Sequence, residues 1–192
     1  ALVSVDSGSS NENNINTAGL DLDVSYNTEL SDMNSSLRGN LNLSLLYNYI
    51  DEWELIGIES GIVDDRLGEI LQPEHRWNLT AIYQLDDLSV TWRTRYWDEV
   101  VDSNTPTLDT FGIDTNGFGK DINTKDAIYH DLSAGYDVTD TINVYFGINN
   151  LFDEDPETLA QGSNYGGTGI NTAGEAYDVI GRRYYAGVSV EL

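Results

Sequence analysis

Two histidines, His75 and His130, are the only imidazoles in a 192-residue chain that has no cysteine. They fall on different predicted strands without a second histidine at ligand spacing, so thiolate or paired-imidazole metal chemistry is not expected. A structural role is expected for each: His130 shares parity with Leu132 and should lie at an interface, and His75, beside Arg76, should make a loop contact. No serine stands in a nucleophile-elbow context, and Gly181-Arg182-Arg183 forms no phosphate loop. The chain therefore reads as no enzyme, with no catalytic, metal or cofactor-binding residue and no cofactor. Asp114-Thr115-Asn116-Gly117-Phe118-Gly119-Lys120-Asp121 is faintly like a calcium loop but lacks alternate-position ligands and a terminal bidentate Glu, so a solvated loop is expected. Asp51, Glu52, Glu54, Glu59, Asp64, Asp65, Glu69 and Glu74 crowd one stretch. They could hold divalent cations, but keeping a loop soluble and extended is the safer reading. The run Gly162 to Gly169 reads as a flexible loop, since no strand leads into it and no helix follows. Three aromatic residues, Trp97, Tyr165 and Tyr177, could stack on a sugar ring or a chelate, or equally sit at an interface.

Charge narrows the partners. With 33 acidic against 9 basic residues the net charge is -24, and the chain lacks the Lys and Arg that phosphate contacts require, so no nucleic acid is expected. Partners should be neutral, cationic or bridged by metal ions. The regular spacing of 12 Tyr and 4 Trp argues for a folded chain despite this acidity. No basic and apolar leader opens the sequence, and no run approaches the ~20 apolar residues of a membrane helix. A strand-built membrane protein needs neither run, because its strands are only ~10 residues long and apolar at alternate positions.

Period two is the dominant pattern along the chain. Leu20, Leu22, Val24 and Tyr26 alternate with Asp21, Asp23 and Ser25, and Leu37 to Tyr49 repeats the alternation. Further strands are predicted over Trp77 to Leu85, Leu88 to Tyr96, Ile128 to Tyr136, Ile142 to Ile148 and Tyr184 to Leu192. Tight Asp-rich turns are expected at Asp86-Asp87 and around Asp140, with a longer one from Asn27 to Ser36. The other links, at about 50–75, 98–126 and 151–181, are long and Gly- and Asp-rich. Short and long links alternate strictly, as in an outer-membrane barrel with short periplasmic turns and long outer loops. Tyr47, Tyr49, Trp53, Trp92, Tyr96 and Trp97 gather near outer strand ends and Tyr26, Tyr83 and Tyr136 near inner turns, the places where a barrel carries aromatic girdles. Cross-strand aromatic pairs of a soluble sheet are the bland alternative.

Two segments carry a family resemblance. Gly147-Ile148-Asn149-Asn150-Leu151-Phe152-Asp153-Glu154-Asp155-Pro156 resembles the penultimate-strand exit of TonB-dependent receptors, and Tyr177-Asp178-Val179-Ile180-Gly181-Arg182-Arg183-Tyr184-Tyr185-Ala186-Gly187 resembles the approach to their last strand. Pro73 to Thr80 and Trp92 to Trp97 are similar to other barrel strands of that family. The resemblance covers most of the chain from about residue 17. It implies an all-β fold, about seven antiparallel up-and-down transmembrane strands of a larger barrel of about 22 strands. Residues 1–16 would be a partial outer loop or strand end, and 17–192 the C-terminal barrel strands. The implied partners are outer-membrane lipid, the plug domain and remaining strands of the same receptor, TonB acting through an N-terminal part not in this sequence, and a small-molecule or oligosaccharide substrate. Leu192 stands where the family usually ends in an aromatic residue. The implied function is active uptake of an iron chelate, vitamin or oligosaccharide across the bacterial outer membrane, and the chain alone, a fragment or a separated chain on this reading, would not transport. A soluble secreted carbohydrate-binding β-sandwich and a passive porin-like barrel are the competing expectations.

Overall fold

A computed structural model describes residues 13–57, 61–101, 123–159 and 171–191. Among these residues the chain is one antiparallel meander in which β1 (Asn13–Glu29), β2 (Asn40–Gly57), β4 (His75–Leu85), β5 (Leu88–Trp97), β6 (Ala127–Thr139), β7 (Ile142–Asn149) and β8 (Arg183–Val190) pair in that order. A short β3 (Val63–Asp65) pairs only with the far end of β2. The only helix among the described residues is a single turn, α1 (Leu30–Met33), between β1 and β2, and no helix is long and apolar enough to cross a membrane. All seven predicted strands are present. Calcium-like Asp114–Asp121, the Gly162–Gly169 run, Glu59 and Tyr165 lie outside the described residues.

Register turns local alternation into two continuous faces. Leu45 pairs with Leu79 and Leu79 with Thr94, and one step outward Tyr47 pairs with Trp77 and Trp77 with Tyr96. The same parity runs through Leu132 with Ile148, Phe146 with Ala186 and Val144 with Val188. The alternate parity aligns Asp21, Asn48 and Arg76, then Ser25, Ser44, Thr80, Arg93 and Asp131. A one-residue slip would put Asp21 and Asp23 of β1, Asp131 of β6, or the Asn, Ser, Thr and Arg side chains of other strands on the apolar face, so the pattern itself fixes the register. The apolar face has no covering layer among the described residues: Leu22 is 44%, Phe146 48% and Val188 63% exposed. A soluble sandwich would bury this face against a second sheet.

Aromatic rings mark two levels on that face. At the outer level Trp77 stacks on Tyr96 at 5.3 Å, His75 stacks between Tyr47 and Tyr49 at 6.0 and 5.2 Å, and His130 meets Trp92 and Phe152, each at 5.2 Å. Tyr26, Tyr83 and Tyr136 sit beside the short turns. Trp77 and Tyr83 lie six positions apart on β4, about 20 Å of strand, close to the ~25 Å apolar band of a membrane barrel.

β2 continues eight residues past Tyr49, where the sequence pattern had suggested a loop. The cause is a bulge: the pairing skips Asp51 between Gly19 and Ala18, so the residues beyond it alternate in a shifted frame that a single-frame reading misses. Gly19 is required there, because a Cβ would strike the Tyr49 carbonyl oxygen.

The buried core lies at one end of the sheet, under the long links. Ile70, Val100, Ala127, Tyr129, Leu159, Ala173 and Tyr177 form one apolar cluster, with Leu71, Trp97 and Ala176 packed against it. It draws on all three long links and on the outer ends of β5 and β6. Backbone bonds stitch it together, Val101 N–H to Gly68 O at 2.8 Å, Thr124 N–H to Val100 O at 2.9 Å and Leu159 N–H to Asn171 O at 2.9 Å. The described parts of these links therefore make a packed layer and not the wholly extended, solvated loops that their composition suggests.

Candidate functional site

Below this loop layer, the polar face carries a cleft of about 520 Å³. Strand alternation supplies its walls: Asp21 and Asp23 from β1, Asn48 from β2, Arg76 and Asn78 from β4, Arg95 and Trp97 from β5, and Tyr129 from β6. Glu175 and Ala176 of the last long link complete it. Asn48 donates to Asp21 at 2.6 Å and accepts from Arg76 Nε at 2.9 Å, tying three strands together across one rung.

An ion network behind Arg95 joins the two family-like segments. Asn150, 1% exposed, donates its backbone N–H to Asp131 at 2.9 Å. Asp131 faces Arg95 Nε at 3.5 Å, and Arg95 Nη2 lies 3.9 Å from Asp178. Asp178 is gripped by both terminal nitrogens of Arg183, at 2.8 and 2.9 Å. Burial alone would raise the Asp178 carboxyl, but hydrogen bonds from Arg183 and from the Ile180 and Gly181 backbones, together with the Arg183 charge, hold it below the ordinary carboxylate value. A second clasp closes the base of the link: Asp153 accepts from the Arg182 backbone at 2.8 Å and from its guanidinium at 3.2 Å.

Polar satisfaction fails at one place. The buried side-chain nitrogen and oxygen atoms without a hydrogen-bond partner among the described residues are Arg95 Nε, Trp97 Nε1 and the Tyr129 hydroxyl. All three belong to residues that line the cleft. The Arg95 contact with Asp131 is an ion pair too long for a good hydrogen bond. Arg95 is instead placed over the Tyr129 ring, 5.2 Å from its centre. Trp97 Nε1 and the Tyr129 hydroxyl are thus left without an acceptor, at about 1–3 kcal/mol each, whereas Arg95 Nε keeps its long ion pair with Asp131.

The candidates read from sequence separate here. Trp97 lines the cleft. Tyr177 is 3% exposed inside the loop cluster and donates to Thr124 Oγ1 at 3.3 Å, below the surface of the layer. His75 and His130 take their places on the apolar face among aromatic rings, His130 Nδ1 lying 3.0 Å from Thr94 Oγ1. Of the crowded carboxylates, Asp64 pairs with Arg66 at 2.8 Å and Asp65 accepts from the Leu67 backbone. No group of three or more potential metal ligands forms among the described residues. Arg95 and Tyr129 were not singled out as site residues from the sequence. The available signal was parity, since Tyr129 is a bulky aromatic ring standing on the polar face of its strand, paired with Arg95.

Comparison with known proteins agrees with this architecture. The family model described as TonB dependent receptor-like, beta-barrel matches residues 2–151. No curated protein sequence matches the chain. Among solved structures, the siderophore receptor PiuA from Acinetobacter baumannii is similar at 20% identity and a TM-score of 0.47, over 79% of this chain and 20% of that one. The chain thus spans about a fifth of the length of that structure. With its family model matched over most of its length and its strands laid out as a single meander with long links at one end, the chain belongs to the TonB-dependent receptor β-barrel family.

Proposed function

We propose that the chain is the wall and part of the outer mouth of a receptor that takes up a nutrient across the bacterial outer membrane. The apolar face, unbroken across seven strands and fringed by aromatic rings at two levels, carries this reading. Lipid covers that face, the remaining strands of the receptor pair with the free edges of β1 and β8, and a plug fills the lumen. TonB supplies the energy through that plug, and the substrate is an iron chelate, a vitamin or an oligosaccharide. Trp97 and, from outside the described residues, Tyr165 are candidate substrate contacts, and Tyr177 supports the layer above them. An uncovered apolar face weighs against a soluble sandwich, and family membership weighs against a passive pore.

The test is accessibility in the intact receptor in membranes. Single cysteines at Leu43, Val144 and Val188 should react with a membrane-restricted probe, and those at Ser44, Asn143 and Ser189 with a water-soluble one. Equal or reversed labelling would sink the assignment. Uptake that persists after the TonB energy supply is removed would sink the transport mechanism while leaving the barrel intact.

A further inference from the structure

We infer that a groove on the apolar face, beside the short turns, seats an acyl chain of a phospholipid whose headgroup carries an amine. The inference rests on the membrane-wall reading above, which sets the short turns on the periplasmic side. Side-chain size makes the groove. Register brings Leu88, Tyr136 and Val144 into one row, and Val90, Ala134 and Phe146 into the next. Ala134 is the small member of these rows, so a recess opens above its methyl group, walled by the Tyr136 and Phe146 rings, each 48% exposed. Its volume is about 290 Å³, with Leu88, Val144, Gly135 and Tyr145 completing the lining. Apart from tyrosine hydroxyls, these side chains offer no polar atom. A hydrocarbon chain fills such a recess without leaving any polar group of its own unsatisfied.

Charge selects the headgroup. The groove ends at two short turns that are tied together by the Asp137 N–H, which donates to Asp87 O at 3.0 Å. One turn carries Asp86 and Asp87, the other Asp137 and Asp140, and neither carries a Lys or Arg. Arg38 reaches this end but is paired with Asp86 at 3.0 Å. Asp137 accepts from the Asn143 amide at 2.7 Å, whereas the Asp87 carboxylate engages no other side chain among the described residues. A lipid phosphate with no cation of its own meets repulsion here. An ethanolamine headgroup offsets its phosphate with an ammonium that donates to carboxylates such as Asp87. Tyr136 stands between chain and headgroup, the depth at which amphipathic rings settle.

The experiment uses the full receptor containing this chain, purified from outer membranes in mild detergent. Native mass spectrometry counts the phospholipids it retains, and the stripped protein is then titrated with dioleoyl phosphatidylethanolamine and dioleoyl phosphatidylglycerol. Ala134→Leu fills the recess and should retain one phosphatidylethanolamine fewer than the native receptor. Phosphatidylethanolamine should rebind about 3- to 5-fold tighter than phosphatidylglycerol, the size of one interfacial ion pair, and Asp87→Asn should erase that preference. Asp87→Asn lies in an exposed turn and carries the test by itself if Ala134→Leu fails to assemble. Equal or tighter binding of phosphatidylglycerol to the native receptor overturns the inference. So does an unchanged lipid count in a correctly assembled Ala134→Leu, or the loss from that variant of a co-purifying protein in place of a lipid. Cysteine labelling separates the two readings: if Val144 and Val188 label from the membrane while Ala134→Leu loses no lipid, the groove fails and the barrel wall stands.

Discussion

Asp178 and Arg183 face each other through two parallel hydrogen bonds of 2.8 and 2.9 Å, with the Asp178 side chain only 5% exposed. This fork joins the end of the last long link to the first residue of β8, and Tyr177, one residue earlier, is anchored in the loop cluster. The pair thus holds the end of the last long link to the start of β8. Asp178→Asn breaks the charge pairing and leaves Arg183 and Arg95 with less compensation. A cost of about 1–3 kcal/mol is expected, tempered because Arg183 is a third exposed. Limited proteolysis of the full receptor should show faster cleavage within 171–182 while the strands stay intact. The pH dependence has a defined sign. Because the folded-state carboxyl is held below its ordinary value of 3.8, the stabilisation is fully present above that pH and is lost as pH falls through the depressed value. Protection of this link should therefore be flat from pH 7 to 5 in the native protein. A loss already near pH 6 would mean that a different group controls it.

Much of the fold was legible because a membrane-type strand must declare itself twice, once in its own alternation and again in agreement with its neighbours. Leu79, Leu45 and Thr94 illustrate this: each was assigned to a face from local parity, and the register brings them into one row. Alternation in one frame ends at Tyr49 because a bulge at Asp51 shifts the frame, and it carries no signal through a shift. The long links carry no such pattern. Ile70, Leu159 and Tyr177 stand in short apolar pairs with Leu71, Ala160 and Ala176 that show no period, and only their convergence in space makes a core. The site was half visible for a related reason. Trp97 attracts notice as a tryptophan, whereas Arg95 and Tyr129 gain meaning only once their buried donors are seen to lack acceptors.

The tyrosine and glycine pairs of the last two strands predict a coupled substitution. Tyr145 lies over Gly187, and Tyr185 lies over Gly147, each ring occupying the space that a Cβ on the opposite residue would fill. The rings sit side by side, 6.4 Å apart between centres. Gly187→Ala should force the Tyr145 ring off its seat and cost about 1–3 kcal/mol, as other overpacked sites do. Tyr145→Ala should cost less by itself, and the double variant should be more stable than the sum of the two predicts, since the clash is absent once the ring is gone. Guanidinium unfolding of the receptor in detergent reads all three. Strict additivity would show that ring and glycine do not sense each other.

Asn150 offers the sharpest test of why the Asn-Leu-Phe-Asp segment has the residues it has. Its backbone adopts φ 52°, a conformation in which asparagine is tolerated better than most side chains. Its amide nitrogen donates to Glu154 O at 2.9 Å while its oxygen accepts the Glu154 N–H at 2.8 Å, so one buried side chain satisfies both backbone groups of a residue four positions on. The turn it closes carries Asp153 toward Arg182 and sets Phe152 against His130. Two costs are therefore separable. Asn150→Gly keeps the backbone conformation and loses both hydrogen bonds, for about 1–3 kcal/mol. Asn150→Ala loses the same bonds and adds about 1 kcal/mol of backbone strain. Hydrogen exchange at the Glu154 amide should accelerate in both variants, and the Arg182 amide, which is held by Asp153, should follow. If Glu154 exchanges as slowly in Asn150→Gly as in the native protein, the strand ends and not the asparagine side chain hold this turn closed.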